Sequence, residues 1–137
     1  MRAALAIPLL LAACGRAPVE ATPEGALDKF LAACEDAPRD PQAAARAYAM
    51  LAPTSRKALE LRAQRATAVT GRPVTAEQML VPGFGPLRFE VSKTTTSIDK
   101  DDLHATVDVF GPDPHTQHAK IPLEREGAAW RVVLAIP

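Results

Sequence analysis

Residues 103–110 read Leu-His-Ala-Thr-Val-Asp-Val-Phe, an uninterrupted alternation of two residue classes. Leu103, Ala105, Val107 and Val109 fall on one side, and His104, Thr106, Asp108 and Phe110 on the other. Successive side chains of a strand point to opposite faces, so a period of two predicts a strand with one dry and one wet face. A sheet with one polar face is covered on one side only, which suits an antiparallel sheet under a layer of helices.

The neighbouring segments extend that sheet. Upstream, 87–97 reads as a strand with Phe89 and Val91 on one face, giving way to Thr94, Thr95 and Thr96 at an expected bend or bulge. The stretch SIDKDDL between the two runs is a hairpin connection, and their register stays open. Downstream, GPDP turns into HAKIPLER with Ala119, Ile121 and Leu123 in phase. A second turn at Glu126-Gly127 leads to AAWRVVLAIP, with Trp130, Val132, Leu134 and Ile136 on one side.

Before the stretch VPGFGP at 81–86, itself read as a turn, the period is helical. Thr22-Pro23-Glu24 combines a hydroxyl cap, a proline where its missing N–H is harmless and an acid near the positive end of the dipole. The helix it opens runs to about Ala37, with Leu27, Phe30, Leu31 and Cys34 as its apolar stripe. Asp40-Pro41 repeats the signal for a second helix to about Leu51, with Tyr48 and Leu51 marking its buried side. Pro53-Thr54-Ser55 opens a third, with Leu59, Leu61 and Val69 apolar, arginines outward and Gly71 as its stop. Thr75 and Gln78 have the spacing of a capping box for a short fourth helix. Helices followed by strands predict an α+β fold, helices packed on a four-stranded antiparallel sheet, as a single domain over 22–137.

The first fourteen residues follow a different logic. Arg2 and the roughly nine apolar residues Ala3–Leu11 have the form of a signal peptide, and are well short of the ~20 needed to span a bilayer. Leu11-Ala12-Ala13-Cys14 resembles the lipobox of bacterial lipoproteins at all four positions. That resemblance implies removal of 1–13 and a lipid on Cys14, which becomes the first residue of the mature chain. It also implies a cell-envelope address, at the periplasmic face of the outer membrane of a Gram-negative bacterium. The alternative is a short buried helix with Cys14 in a core. Against it stand the lack of an amphipathic pattern and the chain breakers Gly15, Pro18 and Pro23. Residues 14–21 then read as a tether. With Cys14 acylated, Cys34 has no intramolecular partner and reads as a small buried hydrophobe.

Charge excludes other partners. Lysine plus arginine and aspartate plus glutamate both number 16, and loss of Arg2 with the signal peptide leaves 15 basic residues. A neutral chain with 4% aromatic residues has neither the field nor the stacking platform for nucleic acid.

The order of elements is similar to that of the nuclear transport factor 2-like superfamily, and in particular to its small bacterial lipoproteins. The resemblance runs over roughly 22–136 and rests on three features: a first helix ending near a short acidic loop, an alanine-rich second helix with an aromatic, and a last strand entered by a reverse turn and Trp130. It implies a cone, a strongly curved sheet wrapped around the first helix with a cavity between them. The long third helix departs from the pattern, and RPVT at 72–75 is the one candidate for the short strand that many members place before the main hairpins.

The superfamily includes isomerases and dehydratases, whose chemistry needs a carboxylate base and acidic hydrogen-bond donors aimed into an apolar cavity. Tyr48, Asp108 and His104 are the candidates, with Tyr48 also readable as a core aromatic and Asp108 as a solvated strand residue. Asp113, His115 and His118 are metal-capable types close in sequence. A period of two sends the two histidines to opposite faces, and no fourth ligand is evident. Asp99 to Leu103 reads as a solvated acidic hairpin tip rather than a calcium loop. The expectation is therefore a membrane-anchored lipoprotein whose domain binds a small apolar ligand or an envelope protein, with no catalytic set, metal or cofactor called for. The alternatives are an enzyme of the dehydratase or isomerase type and a structural accessory whose cone is filled with side chains.

Overall fold

The computed structural model describes residues 15–80 and 87–135. After a 3-10 turn at Val19–Ala21 come four helices, α1 (Pro23–Asp36), α2 (Pro41–Ala49), α3 (Pro53–Thr70) and α4 (Ala76–Leu80). Four strands follow, β1 (Lys93–Ile98), β2 (His104–Phe110), β3 (His118–Glu126) and β4 (Ala129–Val132). They form one antiparallel sheet in sequence order, open rather than closed into a barrel. The α+β architecture expected from the sequence is the one observed.

Local chemistry accounts for the helix ends. Thr22 Oγ1 accepts the Gly25 N–H at 3.2 Å, and Asp40 Oδ1 accepts that of Gln42 at 2.9 Å, each satisfying a donor that the first turn leaves unpaired. Thr75 Oγ1 accepts the Gln78 N–H while Gln78 Oε1 accepts that of Thr75, a reciprocal capping box. Gly71 ends α3 at φ 67°, a left-handed conformation that a side chain disfavours.

The core forms where the stripe of α1 meets the inner face of the sheet. Ala26, Leu27 and Phe30 lie against Val107, Val109, Leu123, Trp130 and Val132, all essentially without solvent exposure. Fully burying one of the larger of these side chains contributes about 1.5–3 kcal/mol. Contacts of α1 with β1, β2 and β4 place it across the sheet. The alternation holds from His104 onward: Ala105, Val107 and Val109 are buried, while His104, Thr106, Asp108 and Phe110 face the other way; Leu103, expected on the dry face, lies before the strand and is half exposed.

The two edges of the sheet are treated differently. Along β4, the Ala52 N–H donates to the Val132 carbonyl at 2.8 Å and the Val132 N–H to the Met50 carbonyl at 2.9 Å, with Leu51 and Val132 paired in parallel. The chain between α2 and α3 thus serves as a one-residue fifth strand. Just beyond, buried Ser55 accepts the Leu134 N–H at 2.9 Å and donates to its carbonyl at 3.4 Å. No described segment pairs with β1 on its outer side.

Five further expectations need correction. The helix α2 stops at Ala49 rather than Leu51, because Met50, Leu51 and Ala52 are drawn into pairing with β4. Leu61 and Val69 are exposed, the latter at 87%; the buried stripe of α3 is Ser55, Leu59 and Ala63, and Leu61 lies about 200° around the helix from Leu59. Residues 72–75 form no strand, and the short pairing segment is instead centred on Leu51. The first strand begins at Lys93, not Leu87. There the Ser92 N–H and Lys93 both oppose Phe110, whereas Thr94, Thr95 and Thr96, the expected place of a bend or bulge, pair one to one with Val109, Asp108 and Val107. Finally, β4 ends at Val132; Leu134 packs against the core without strand pairing, and Ile136 lies outside the described residues.

Candidate functional site

The feature with the form of a binding site is a concavity of about 550 Å³ between the C-terminal half of α1 and residues 87–91. Leu31, Cys34 and Glu35 stand at i, i+3 and i+4 and so share one face of α1. Opposite them, Leu87, Phe89 and Val91 repeat at a period of two on a segment that is not strand, with Glu90 beside them. Leu31, Cys34, Leu87 and Phe89 are half-buried and pack against the core, so its edge forms the apolar floor.

Phe89 is held from below by Gly111. A Cβ at that glycine would come within 2.9 Å of the Phe89 ring and 2.5 Å of Gln117 Oε1. The close approach therefore depends on a residue without a side chain. Phe89 and Val91 do share a side, as the sequence predicted, but they face this concavity from irregular backbone.

Cys34 is a free thiol, half-buried rather than enclosed in the core as expected. Burial pushes its pKa up to about 11, which keeps it neutral and a poor nucleophile near neutral pH. It serves as an apolar lining residue. Cys14 lies outside the described residues, as do 81–86, the VPGFGP turn.

The candidate acid–base residues do not meet. Tyr48 is half-buried on α2 and donates its hydroxyl hydrogen to Glu60 Oε1 of α3 at 2.7 Å, a carboxylate partner distant in sequence. Burial, and then the Glu60 carboxylate that accepts its proton, push its pKa up to about 12. Asp108 faces away from Val107 and Val109, on the sheet face opposite the core, where it lies 2.9 Å from His118 Nε2. The His118 ring in turn stacks on Phe110, with centroids 4.4 Å apart. His104 sits at the hairpin end of β2, its Nδ1 2.6 Å from Asp101 Oδ2, and that hydrogen bond raises its pKa. Tyr48 packs on the core side while Asp108 and His104 lie on the outer face of β2, each bonded to a different partner, so the three do not converge on one cavity.

The metal-capable residues are likewise committed elsewhere. Asp113 accepts the His115 N–H and the Thr116 hydroxyl, forming its own turn, while His118 is with Asp108. Among the described residues, Asp99, Asp101 and His104 offer ligand atoms within 4.8 Å of one another, all exposed. Asp101 already accepts the N–H groups of Leu103 and His104 and the His104 ring. These bonds close the hairpin, and a metal would have to break the last of them.

Among the described residues no helix is long and apolar enough to cross a membrane. No protein-family model, curated protein or solved structure matches this chain.

Proposed function

We propose that this chain is a cell-envelope lipoprotein, tethered through lipidated Cys14, whose folded domain binds a small apolar ligand without transforming it. The observation that carries the binding reading is the concavity beside α1, floored by Leu31, Cys34, Leu87 and Phe89. Concave, mostly apolar sites with a few polar groups are the usual form of a small-molecule site. The tether reading rests on the LAAC sequence and the apolar run before it. Two or more acyl chains on Cys14 would hold the protein stably to a bilayer. A cone of the nuclear transport factor 2-like type is the finer fold reading, supported by α1 lying across the inner face of a four-stranded sheet.

The enzymatic alternative loses its support from the separation of Tyr48, Asp108 and His104. The neutral Cys34 thiol supplies no replacement nucleophile.

Two experiments test the reading. In a bacterial host, Cys14→Ala should leave the protein uncleaved or soluble; a variant still recovered as a processed, lipid-bearing form would refute the anchor. For the pocket, octyl glucoside below its micelle concentration should slow N-ethylmaleimide addition to Cys34 in the wild-type chain, read by peptide mapping. It should have no such effect in Val91→Asp, and equal rates with and without the probe in the wild type would remove the pocket reading.

A further inference from the structure

We infer that β1 is a pairing edge for a second copy of this chain, the two strands meeting antiparallel across a two-fold axis at Thr96 so that two four-stranded sheets become one. The Asp99 N–H bonds the His104 carbonyl, so the register of β1 on β2 turns the N–H and carbonyl groups of Thr94, Thr96 and Ile98 outward. No described segment takes them up, in contrast to the β4 edge, and Lys93, Thr95, Ser97 and Ile98 are exposed. Edge strands are ordinarily kept apart by proline, by charge or by a covering segment. From Thr94 to Ile98 there is neither proline nor charge, and threonine and isoleucine are good strand residues.

The edge favours a second copy over an unrelated strand because it is complementary to itself. An axis at Thr96 sets Thr96 against its own copy and Thr94 against the partner's Ile98, and these are the residues whose backbone groups already face outward. The same register places Lys93 opposite the partner's Asp99, and symmetry repeats that charge pair at the other end. Both side chains lie on the outer face: Lys93 opposes Phe110, which faces away from the core, and Asp99 has a carboxylate oxygen within 4.8 Å of a His104 ring nitrogen. Moving the axis by one residue either way leaves Lys93 or Asp99 opposite an uncharged residue and shortens the ladder. On the inner face Ile98, 49% exposed, comes to lie against the partner's Thr94 and gives up part of its contact with water.

The test is sedimentation equilibrium of the full chain under reducing conditions, paired with hydrogen exchange at the two ends of the concentration range. A dimer should form with a Kd of about 100 μM or tighter, as suits a small edge interface. At about 1 mM the amides of Thr94, Thr96 and Ile98 should exchange about fivefold more slowly than in the dilute monomer, while those of Thr95 and Ser97, which face β2, change little. Lys93→Glu sets two acids opposite each other and Asp99→Lys two lysines, so each should weaken the dimer about fivefold or more. The double variant Lys93→Glu, Asp99→Lys exchanges the charges and should restore it to within about twofold of the wild type. A chain that stays monomeric to about 1 mM would overturn the inference, as would a dimer indifferent to both single variants or a double variant no tighter than they are. Protection of the three amides that does not depend on concentration would also overturn it, since another segment of the same chain would then occupy the edge.

Discussion

The two edges of the sheet are made from similar backbone and meet different fates. At the β4 edge, the N–H and carbonyl of Val132 are both taken by the Met50–Ala52 segment, and Ser55 clasps both backbone groups of Leu134. At the β1 edge, the Asp99 N–H bonds the His104 carbonyl, so by strand alternation Thr96 and Ile98 turn their backbone groups away from β2. The side chains follow the same division. Trp130 and Val132 are buried, with the Arg125 guanidinium 5.7 Å from the Trp130 ring, whereas Ile98 and Leu103 are about half exposed. What separates the edges is whether a helix connection passes within reach. The chain turning from α2 into α3 runs beside β4, and no described segment does so beside β1.

The largest expected break in this contrast is Trp130→Ala. Removing a fully enclosed indole should cost about 3–5 kcal/mol in urea unfolding, through lost burial and the cavity left behind. A loss under about 1 kcal/mol would show that the β4 side is not the rigid one. Ser55→Ala comes next, because it strips a hydrogen-bond partner from a half-buried backbone N–H; a loss of about 1–2 kcal/mol is expected. Ile98→Thr, in contrast, should change stability by no more than about 0.5 kcal/mol, since half of the side chain is already in water. Hydrogen exchange gives an independent view. In dilute solution the amides of Ala52 and Val132 should be protected and those of Thr96 and Ile98 should exchange quickly, and similar rates at the four positions would erase the distinction.

The smallest effect is at the hairpin that leads out of β1. His104 is held above its ordinary value of 6.5 by its hydrogen bond to Asp101. Asp101 is held below 3.8, first by the Leu103 N–H and then by His104. The His104 contribution is complete below pH 6.5 and is lost as pH rises through its higher folded value. The Asp101 contribution is present above pH 3.8 and is lost as pH falls through its lowered folded value. The pair is therefore intact between the two folded values and loosens as pH rises through that of His104. An NMR titration should place the His104 midpoint above 6.5, and Asp101→Asn should bring it back toward that value.

Much of this architecture was legible because it is written in short-range signals. Caps at Thr22, Asp40 and Thr75 act over two or three residues, and Gly71 acts on its own φ angle. The period of two in β2 survives because one face of the strand has to be buried whole. Half of the pocket was legible too, since Leu31 and Cys34 belong to the stripe recognised on α1. Leu87, Phe89 and Val91 were misplaced in a strand because alternation by itself does not distinguish a paired segment from one that merely rests an apolar side on a core. Leu61 was misplaced because apolar identity was given more weight than its angular position on α3.

The sequence by itself determined the order and type of the elements, the starts of the helices and most of the dry face of the sheet, since each depends on residues a few positions apart. Only the tertiary structure decided that Tyr48 meets Glu60, that Asp108 and His104, on one outer face, take different partners, and that α1 and residues 87–91 border an apolar concavity. Those outcomes depend on which faces of distant segments are brought together. That is settled by burying α1 against the sheet and drawing Met50–Ala52 onto its edge, over separations at which neither a period nor a cap carries information.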